Sequence, residues 1–545
     1  MLVFIILQVA TPANITILRK GEIIKTTPPF EIVLIIREIM TRNTKKSDFW
    51  NSIQSNTKKR NIAEYVIIFL AITIVFILCK ALGIKNDNDK TQILMIASLF
   101  GLMCYACYLG MKKQLTTTKI MQLIIFAGII MRVGYTIYTH MFVRGNDLGE
   151  FSTNIHENGC GHLGYIYYIV ENGKLPDGNS YQLYHPPLYH ILSAIAVQIV
   201  GIFIHSGDMQ SKFEFIQIIN CTLACIMLPM LRNFLNEIYV DKKYAPWAMA
   251  IVAFFPTFYQ MGGRLNNDMA VTFFMFLCIV NTYRWYRKRD MKTVVYIALC
   301  FGLGMMSKIS CGIMALFTGM VMLVVLYEEF KNKNAKQIII QFVVFAAVCV
   351  PLALWYPVRN YILFDQPFNY VPRIEENNFV YRGNVSWTER LFSFSSVDLA
   401  KQPFVNLSED NSVIMTMLRT ALYGEAEFGG RNFAASIANI VNLLLVVVSL
   451  AAMIYVLIKN KKVKSKAVFG VFVIWLIIFG SFVQFNVAYP ALCTANYRYI
   501  PLATVMGGVF IAYALSYMGD RHKYVSNSIK IMIIVWCIFT SVVYL

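Results

Sequence analysis

Charged residues are scarce in this sequence. Asp, Glu, Lys and Arg make up 14% of its 545 residues, whereas 57% are hydrophobic. A soluble chain of this length needs more charge to cover its surface and would divide into several cores. The apolar residues instead form runs of roughly 17–23, the length that crosses about 30 Å of hydrocarbon. The composition therefore predicts an all-α polytopic membrane protein.

Acidic residues are the scarcer of the two signs, with 30 Asp and Glu against 49 Lys and Arg. The net charge of +19 would suit nucleic acid, but the basic residues lie in short clusters between apolar runs. That distribution is the positive-inside pattern of cytoplasmic loops. We therefore expect membrane lipids, and no nucleic acid, as partners. The clusters expected inside are Arg284–Lys292, Glu328–Lys336, Lys459–Lys466 and Asp520–Lys523.

A convincing secretory signal is not found. The opening MLVFIILQVA has neither a basic n-region nor a small-residue cleavage site. Residues 1–60 carry many Lys and Arg, so we expect a basic cytoplasmic leader. An obvious internal repeat is also lacking, which weighs against an inverted-repeat transporter.

The side on which each loop lies gives a topology. If every apolar run crosses the membrane, the run from Pro187 to about Ile204 adds one crossing, and the basic loops no longer fall on one side. We interpret it as a juxtamembrane helix at the outer interface, which leaves about 13 transmembrane helices. The weakest are roughly 293–306 and 311–327. The predicted regions are the leader, an N-terminal transmembrane region 61–358 with a catalytic first external loop (143–186), an external loop region 359–432, and C-terminal transmembrane helices 433–545.

Most of the 12 cysteines lie in apolar runs and are expected to be small buried hydrophobes. Cys160 and Cys493 fall in predicted external loops instead. They are either unrelated free thiols or, in an oxidising compartment, a disulfide between those loops. The sequence leaves both alternatives open.

The first external loop is rich in histidine and carboxylate. It holds Asp147, Glu157, His162 and His185, and the stretch from Arg144 to His190 carries four of the seven histidines. Such groups serve general-base chemistry or metal binding, although a solvated loop with scattered polar residues is the alternative. Their spacing matches no familiar metal-ligand pattern. We expect no required cofactor and predict no metal site, and a divalent metal stays possible.

Polar residues also stand where predicted spans meet the outer surface. The segment GGRLNND contains Arg264, Asn266, Asn267 and Asp268. Such groups are costly at that depth unless they face a cavity, and a helix N-cap explains only one of them. This segment is therefore a candidate part of a site.

Three cations lie at similar outer positions. Lys308 separates two short apolar runs and either snorkels or holds an anionic head group. Arg359 and Arg498 are either interfacial anchors or partners for a phosphate, which arginine binds bidentately.

Several segments resemble a known family. NDLGEF, GHLGYIYYIVENGKLPD, YHPPLYH, PTFYQMGGRLNND, SKISCG, LYGEAEFG and CTANYRYIP occur in that order between Met131 and Pro501. They resemble the membrane glycosyltransferases of the GT-C superfamily, and most closely glycosyltransferase family 39, the protein O-mannosyltransferase and aminoarabinose-transferase relatives. Each motif alone is weak, but their order and shared external side make the resemblance fairly specific.

The resemblance implies a GT-C-like fold, a polyprenyl-phosphate sugar donor, and inverting transfer on the extracytoplasmic face of the cell membrane. It places the essential acid at Asp147. Many relatives have His where Asn146 stands, and an Asp-Glu pair where this chain has Asn158 and Gly159. These departures leave Asp147 and Glu157 as rival bases.

The remaining roles follow from the same resemblance. Asp268 is the next acidic residue expected to face the site. Cations would stabilise the leaving phosphate, and other polar residues would bind substrate. The expected substrate-binding residues are His162, Tyr165, His185, Asn266, Asn267, Arg264, Lys308, Arg359 and Arg498. The acceptor is a protein, a lipid or a glycan.

Two other classes of function remain open at this stage. A secondary transporter or lipid flippase would place ionisable residues in mid-span and have pseudo-symmetric halves. A non-catalytic membrane assembly protein on the same fold is the third reading, since fold does not fix activity.

Overall fold

The computed structural model describes residues 57–154, 160–204, 208–333, 335–463, 465–519 and 521–545. Most of the expected leader, and the rival base Glu157, lie outside the described residues. Within them the structure is helical, with one isolated β-bridge between Tyr381 and Ala491. The all-α polytopic class predicted from composition is confirmed.

The first half of the described chain contains eleven α-helices joined by short loops. They are α1 Thr57–Ala81, α2 Asn88–Met111, α3 Thr117–Tyr138, α4 His162–Asn172, α5 Leu188–Phe203, α6 Met209–Phe213, α7 Gln217–Glu237, α8 Ala245–Ala253, α9 Pro256–Gly263, α10 Asp268–Lys288 and α11 Met291–Ser307.

The second half contains nine more. They are α12 Ala315–Lys331, α13 Ala335–Phe364, α14 Trp387–Phe392, α15 Ser396–Lys401, α16 Val413–Tyr423, α17 Asn432–Val463, α18 Lys466–Ala488, α19 Pro501–Met518 and α20 Lys523–Tyr544. Short 3-10 turns precede several of them. Those are Tyr181–Tyr184, Glu214–Ile216, Ile309–Met314, Leu492–Ala495 and Tyr497–Tyr499.

Ten helical stretches of the described chain are long and apolar enough to cross a membrane. The three further crossings in the prediction of about 13 correspond to the broken pair α8–α9, to α10 and to α11. The α8–α9 pair is interrupted, α10 carries charged residues near both ends, and α11 has 17 residues. The integral membrane character is shown, and the total of 13 stays a prediction.

The run after Pro187 forms a separate helix, α5, and its place at the outer interface stays a prediction. It packs against α4, the amphipathic helix of the loop that was predicted to be external. Gly173 ends α4 in the left-handed conformation at φ +64°, which glycine adopts without steric cost.

One charged side chain lies deep within the span α3. Arg132 is fully buried, and its guanidinium donates to the carbonyl oxygens of Val252 and Ala253, each at 2.8 Å. These carbonyls are at the end of α8, where Pro256 begins the next helix. Arg132 thus satisfies the carbonyl groups freed by the helix break and matches the negative end of the α8 dipole.

The centre of the bundle is formed by its most enclosed spans. Most residues in the apolar parts of Met209–Glu237 and of α19 are buried, whereas most of those in the outer α1 and α17 are not. The junction between α9 and α10 lies beside the segment that precedes α19, at one end of these enclosed spans. Both carry charged residues predicted to act in a site.

Candidate functional site

Four charged side chains from distant segments meet at one end of the bundle. Lys308 donates from Nζ to Asp268 Oδ1 at 2.6 Å. Arg498 lies 3.4 Å from the other oxygen of Asp268 and donates to Asp147 Oδ2 at 2.9 Å. The result is a continuous chain, Lys308–Asp268–Arg498–Asp147, of alternating charge.

Exposure separates the two carboxylates of this chain. The side chains of Asp268 and Arg498 are 5% exposed and that of Lys308 is 17% exposed, whereas that of Asp147 is 42% exposed. Asp268 is therefore a buried carboxylate that holds Lys308 and Arg498 beside each other. Asp147 is the carboxylate that a substrate can reach.

Local backbone geometry fixes Asp147 at this edge. Its φ is +56°, a left-handed conformation that aspartate tolerates better than most residues. The first N–H groups of α4, from His162 and Leu163, donate to the carbonyls of Asp147 and Leu148 at 3.0 and 2.8 Å. The α4 terminus and the loop each satisfy the other's polar groups.

A glycine makes this approach possible. A Cβ placed on Gly161 would lie 2.3 Å from the Leu148 carbonyl carbon, which is closer than real Cβ contacts. The backbone conformation of Asp147 is thus held by packing around it, as is common where a reactive group is displayed.

Electrostatics keep Asp147 ionised. Partial burial raises the pKa of its carboxyl, but the positive charge of Arg498 and the hydrogen bond from its guanidinium outweigh that effect and leave the pKa below its ordinary value. At neutral pH the group is a carboxylate and so a hydrogen-bond and proton acceptor.

The polar segment before α10 supports Asp268. Asn266 Nδ2 donates to Asp268 Oδ2 at 3.1 Å, and Asn266 Oδ1 accepts from the Asp268 backbone N–H at 3.2 Å. Asn267 makes no side-chain cap and instead donates to the Ser307 carbonyl at 2.8 Å. It therefore joins the start of α10 to the residue before Lys308. Both amides position charged groups and are themselves fully buried.

Arg264 lies behind the cluster. It donates from Nε to the Arg144 carbonyl at 2.9 Å and from Nη2 to Gln260 Oε1 at 3.2 Å. Its side chain is buried. Its contacts fix the start of the loop that carries Asp147.

The histidines form a stacked column with Tyr165. Ring centroids of His162 and His185 are 5.7 Å apart, those of His162 and His190 5.2 Å, and those of His190 and Tyr165 4.0 Å. His162 Nδ1 and His190 Nε2 are 2.9 Å apart. All four residues are buried, so the column packs inside the protein beside the loop that carries Asp147.

Burial keeps these imidazoles neutral. It lowers the pKa of His162 to about 4, where the nearby Lys308 and Arg498 oppose protonation and Asp147 and Asp268 favour it. Burial also lowers the pKa of His185 and of His190 well below the ordinary range.

Arg359 is not brought to the four-residue chain. Its guanidinium donates to the Pro176 carbonyl at 2.8 Å and lies 3.6 Å from Asp177. Beside it, the Tyr356 and Tyr165 hydroxyls are 3.0 Å apart. Arg359 thus secures the loop after α4.

The described residues offer no arrangement suited to metal binding or to thiol chemistry. They contain no group of three or more His, Cys, Asp or Glu side chains arranged to hold a metal. Cys160 and Cys493 are free thiols, and burial raises the pKa of each to about 11. These are structural thiols of the unreactive kind.

Sequence reasoning missed Glu425. Its two carboxylate oxygens accept from Asn146 Nδ2 at 2.6 Å and from Asn496 Nδ2 at 2.7 Å. Glu425 lies within LYGEAEFG, one of the segments that carry the family resemblance. The motif was therefore the available signal, but nothing in it showed which residue faces the site.

A comparison with protein families gives one match. The family described as Dolichyl-phosphate-mannose-protein mannosyltransferase matches residues 184–355. This range includes Asp268 and Lys308. A search of curated proteins gives no match. The resemblance predicted from the motifs is confirmed, and the match supports a membrane glycosyltransferase of the GT-C type.

Proposed function

We propose that this protein transfers a sugar from a polyprenyl-phosphate donor to an acceptor hydroxyl on the extracytoplasmic face of the cell membrane, with inversion at the anomeric carbon. The observation that carries the proposal is the Lys308–Asp268–Arg498–Asp147 chain. It pairs the accessible carboxylate of Asp147 with Arg498, and the buried Asp268 joins that arginine to a second cation, Lys308. The family match supplies the class of reaction.

The cations suit the leaving group. When the bond between the sugar C1 and the phosphate oxygen breaks, the electron pair stays with the lipid phosphate, whose negative charge grows. Lys308 and Arg498 are held in place by Asp268 before any substrate arrives, so they can stabilise that charge without reorganising. A phosphate is already a stable anion, and this departure needs no general acid.

The exposed carboxylate suits the acceptor. In a single displacement the acceptor oxygen attacks C1, the C1–phosphate bond breaks, and the acceptor proton passes to Asp147. Attack opposite the leaving group inverts the anomeric centre. Donor phosphate competes with Asp147 for Arg498, because both are anions within reach of one guanidinium. Donor binding would therefore free the base.

The proposed orientation follows from the basic loops. With the basic clusters in the cytoplasm, the loop of Asp147 and the segment of Arg498 both face outward, which agrees with their contact in the structure. A transporter reading gains no support from Arg132, the charged residue buried in α3, because its guanidinium is occupied by backbone carbonyls.

A donor panel tests the proposal. Wild type in lipid nanodiscs would receive radiolabelled polyprenyl-phosphate sugars with protein, lipid and glycan acceptors. We expect transfer from one donor class, a product of inverted configuration, and loss of transfer in Asp147→Asn. Glu150→Gln is the matched control, since Glu150 is an exposed carboxylate three residues further along the same loop.

The outcomes separate the readings. Transfer by wild type and by Glu150→Gln alone supports the enzyme and the base together. Equal transfer by Asp147→Asn would remove Asp147 from the mechanism. No turnover of any donor would overturn the proposed function.

A further inference from the structure

Glu425 stands between the two segments that supply the Arg498–Asp147 ion pair. Asn146 immediately precedes Asp147, and Asn496 lies two residues before Arg498. Glu425 receives one hydrogen bond from each of these asparagines, at 2.6 and 2.7 Å. It follows α16 and belongs to neither segment. A third part of the chain thus connects the other two.

Only a carboxylate makes both contacts in this arrangement. An ionised glutamate has two acceptor oxygens and no donor, so it can accept from two amide groups at once. A glutamine has one acceptor oxygen, and its NH₂ group would face a second NH₂ group. Hydrogen bonds to an ionised acceptor are also shorter and stronger than neutral ones.

The asparagine at 496 extends the connection to Arg498. While its Nδ2 donates to Glu425, its Oδ1 accepts from the Arg498 backbone N–H at 3.0 Å. The Glu425 carboxylate therefore acts on the arginine through one intervening side chain. On the other side it holds the residue adjacent to Asp147.

Gly424 lets Glu425 reach this position. Its φ is +62°, and a Cβ there would lie 2.3 Å from Gln260 Oε1 and 2.5 Å from Arg264 Nη2. The backbone therefore runs directly over the buried Arg264, whose Nε also holds the Arg144 carbonyl. The placement of Glu425 is built into the packing beneath the site.

We infer that Glu425 is a positioning residue for sugar transfer, holding Asp147 and Arg498 in register by bridging Asn146 and Asn496. This inference rests on the proposed function. Glu425 does not itself bind the donor or accept the proton in this account.

The bridge and the reaction are tested by separate readouts. Hydrogen exchange of segments 144–150 and 493–500 measures the bridge without any substrate. The kcat and KM of sugar transfer measure its effect on the reaction. Glu427→Gln is the matched control, since Glu427 is an exposed carboxylate in the same motif.

We expect Glu425→Gln to speed exchange in both segments and to lower kcat at least tenfold, with KM changed less than threefold. Small misplacements of reacting groups cost roughly that much or more. Glu427→Gln should match wild type in both readouts.

A polarity swap separates positioning from general structural damage. In Glu425→Gln with Asn496→Asp, the glutamine can donate to the aspartate and accept from Asn146, and the aspartate can still accept from the Arg498 N–H. We expect Asn496→Asp alone to lower kcat, because two carboxylates then face each other. The double variant should recover to within about threefold of wild type, since both hydrogen bonds are restored.

The result that overturns the inference is an active wild type in which Glu425→Gln behaves as Glu427→Gln in exchange and in kcat. Failure of the double variant to recover above either single variant would also overturn it. An inactive wild type would end the proposed function and this inference with it. Altered exchange in Glu425→Gln would then show the bridge to be structural only.

Discussion

At the scale of single residues, the site assigns different tasks to chemically similar groups. Asp147 and Asp268 both contact Arg498, but Asp268 is enclosed and also bound by Lys308 and Asn266. Asp147 has one ion-pair partner and an open side. The difference in environment, not in residue type, makes one carboxylate a support and the other a candidate base.

The cations of the site should be needed for the chemical step. We expect Arg498→Gln to lower kcat by about 10²–10³, the usual cost of removing one group that stabilises developing charge. Arg498→Lys should be impaired less than Arg498→Gln but should not restore wild-type turnover, because lysine lacks the fork that spans two carboxylates. Steady-state kinetics with saturating donor would measure this.

A control for charge alone is available in the region 359–432. Arg373 is exposed, and Arg373→Gln removes the same charge outside the site. It should retain turnover within about threefold of wild type. Arg498→Gln turning over as fast as Arg373→Gln would contradict the role of the guanidinium.

Sequence reasoning selected residues whose type is costly in its position, and their role in a site stays a prediction. Asp268, Lys308 and Arg498 were singled out as polar groups at span ends, and the structure brings them together. Arg359 was selected by the same reasoning but binds the Pro176 carbonyl. An arginine near the outer surface has the same sequence signature in either case, and only packing distinguishes them.

At the scale of elements, the contact between α4 and the loop of Asp147 is the most specific. Gly161→Ala would place a Cβ 2.3 Å from the Leu148 backbone and should push that loop away from Arg498. We expect kcat to fall about 100-fold, as displacements near 1 Å can cost, and thermal stability to fall as well. Turnover and melting temperature of the purified variant would be compared with those of wild type.

Gly201→Ala provides the comparison within the neighbouring helix α5. A Cβ on Gly201 meets nothing within 4 Å, and alanine is the better helix former. Its turnover and stability should equal or exceed those of wild type. A fully active Gly161→Ala would show that the close approach does not position Asp147.

The stacked histidines should make stability dependent on pH. Their folded-state pKa values lie below the ordinary value near 6.5. At a pH between the folded-state and the ordinary pKa values, the unfolded chain binds more protons than the folded protein. Stability is therefore lost as pH falls from about 6.5 toward 4. Each histidine contributes up to about 1.4 kcal/mol per pH unit in that window. Thermal melts in detergent between pH 7.5 and 4.5 would measure the slope.

A single substitution checks this assignment. His185→Phe keeps a ring in the column and removes one titrating group. Its free energy of unfolding should therefore depend less steeply on pH, by the equivalent of about one proton. Asn384→Gln, which exchanges one neutral side chain for another at an exposed position, should leave the slope unchanged. Identical slopes in all three proteins would place the pH dependence elsewhere.

Elements were predictable where local chemistry decides them. The end of α4 at Gly173 and the helix after Pro187 follow from glycine and proline geometry. The α8–α9 break was not predicted. Pro256 marked it, but the apolar run continues through it, and Arg132, its partner, is 121 residues from Ala253. Contacts of that separation have no local signature.

At the scale of the whole molecule, the membrane topology explains how distant segments can form one site. Loop charge predicted that the segments of Asp147, Asp268, Lys308 and Arg498 share one side of the membrane, and all four meet in the structure. The sequence alone could not show which of these residues pair with each other, since Asp147 and Arg498 are 351 residues apart. Assignment of that side to the exterior remains a prediction.

Labelling with a membrane-impermeant maleimide tests the orientation. We expect Asn384→Cys, at an exposed position of the region predicted to be external, to react in intact cells. Gln114→Cys, at an exposed position of the loop between α2 and α3, should react only after the membrane is opened. Wild type gives the background of the native thiols. The opposite pattern would place the site on the cytoplasmic side.

The most direct test of the central claim compares donor binding with sugar transfer in Asp147→Asn. Neutralising Asp147 removes the anion that competes for Arg498, so the donor should bind at least as tightly as to wild type, while turnover falls by about 10²–10⁴. That result would assign Asp147 to the chemical step. Turnover within tenfold of wild type, with donor bound, would contradict the account.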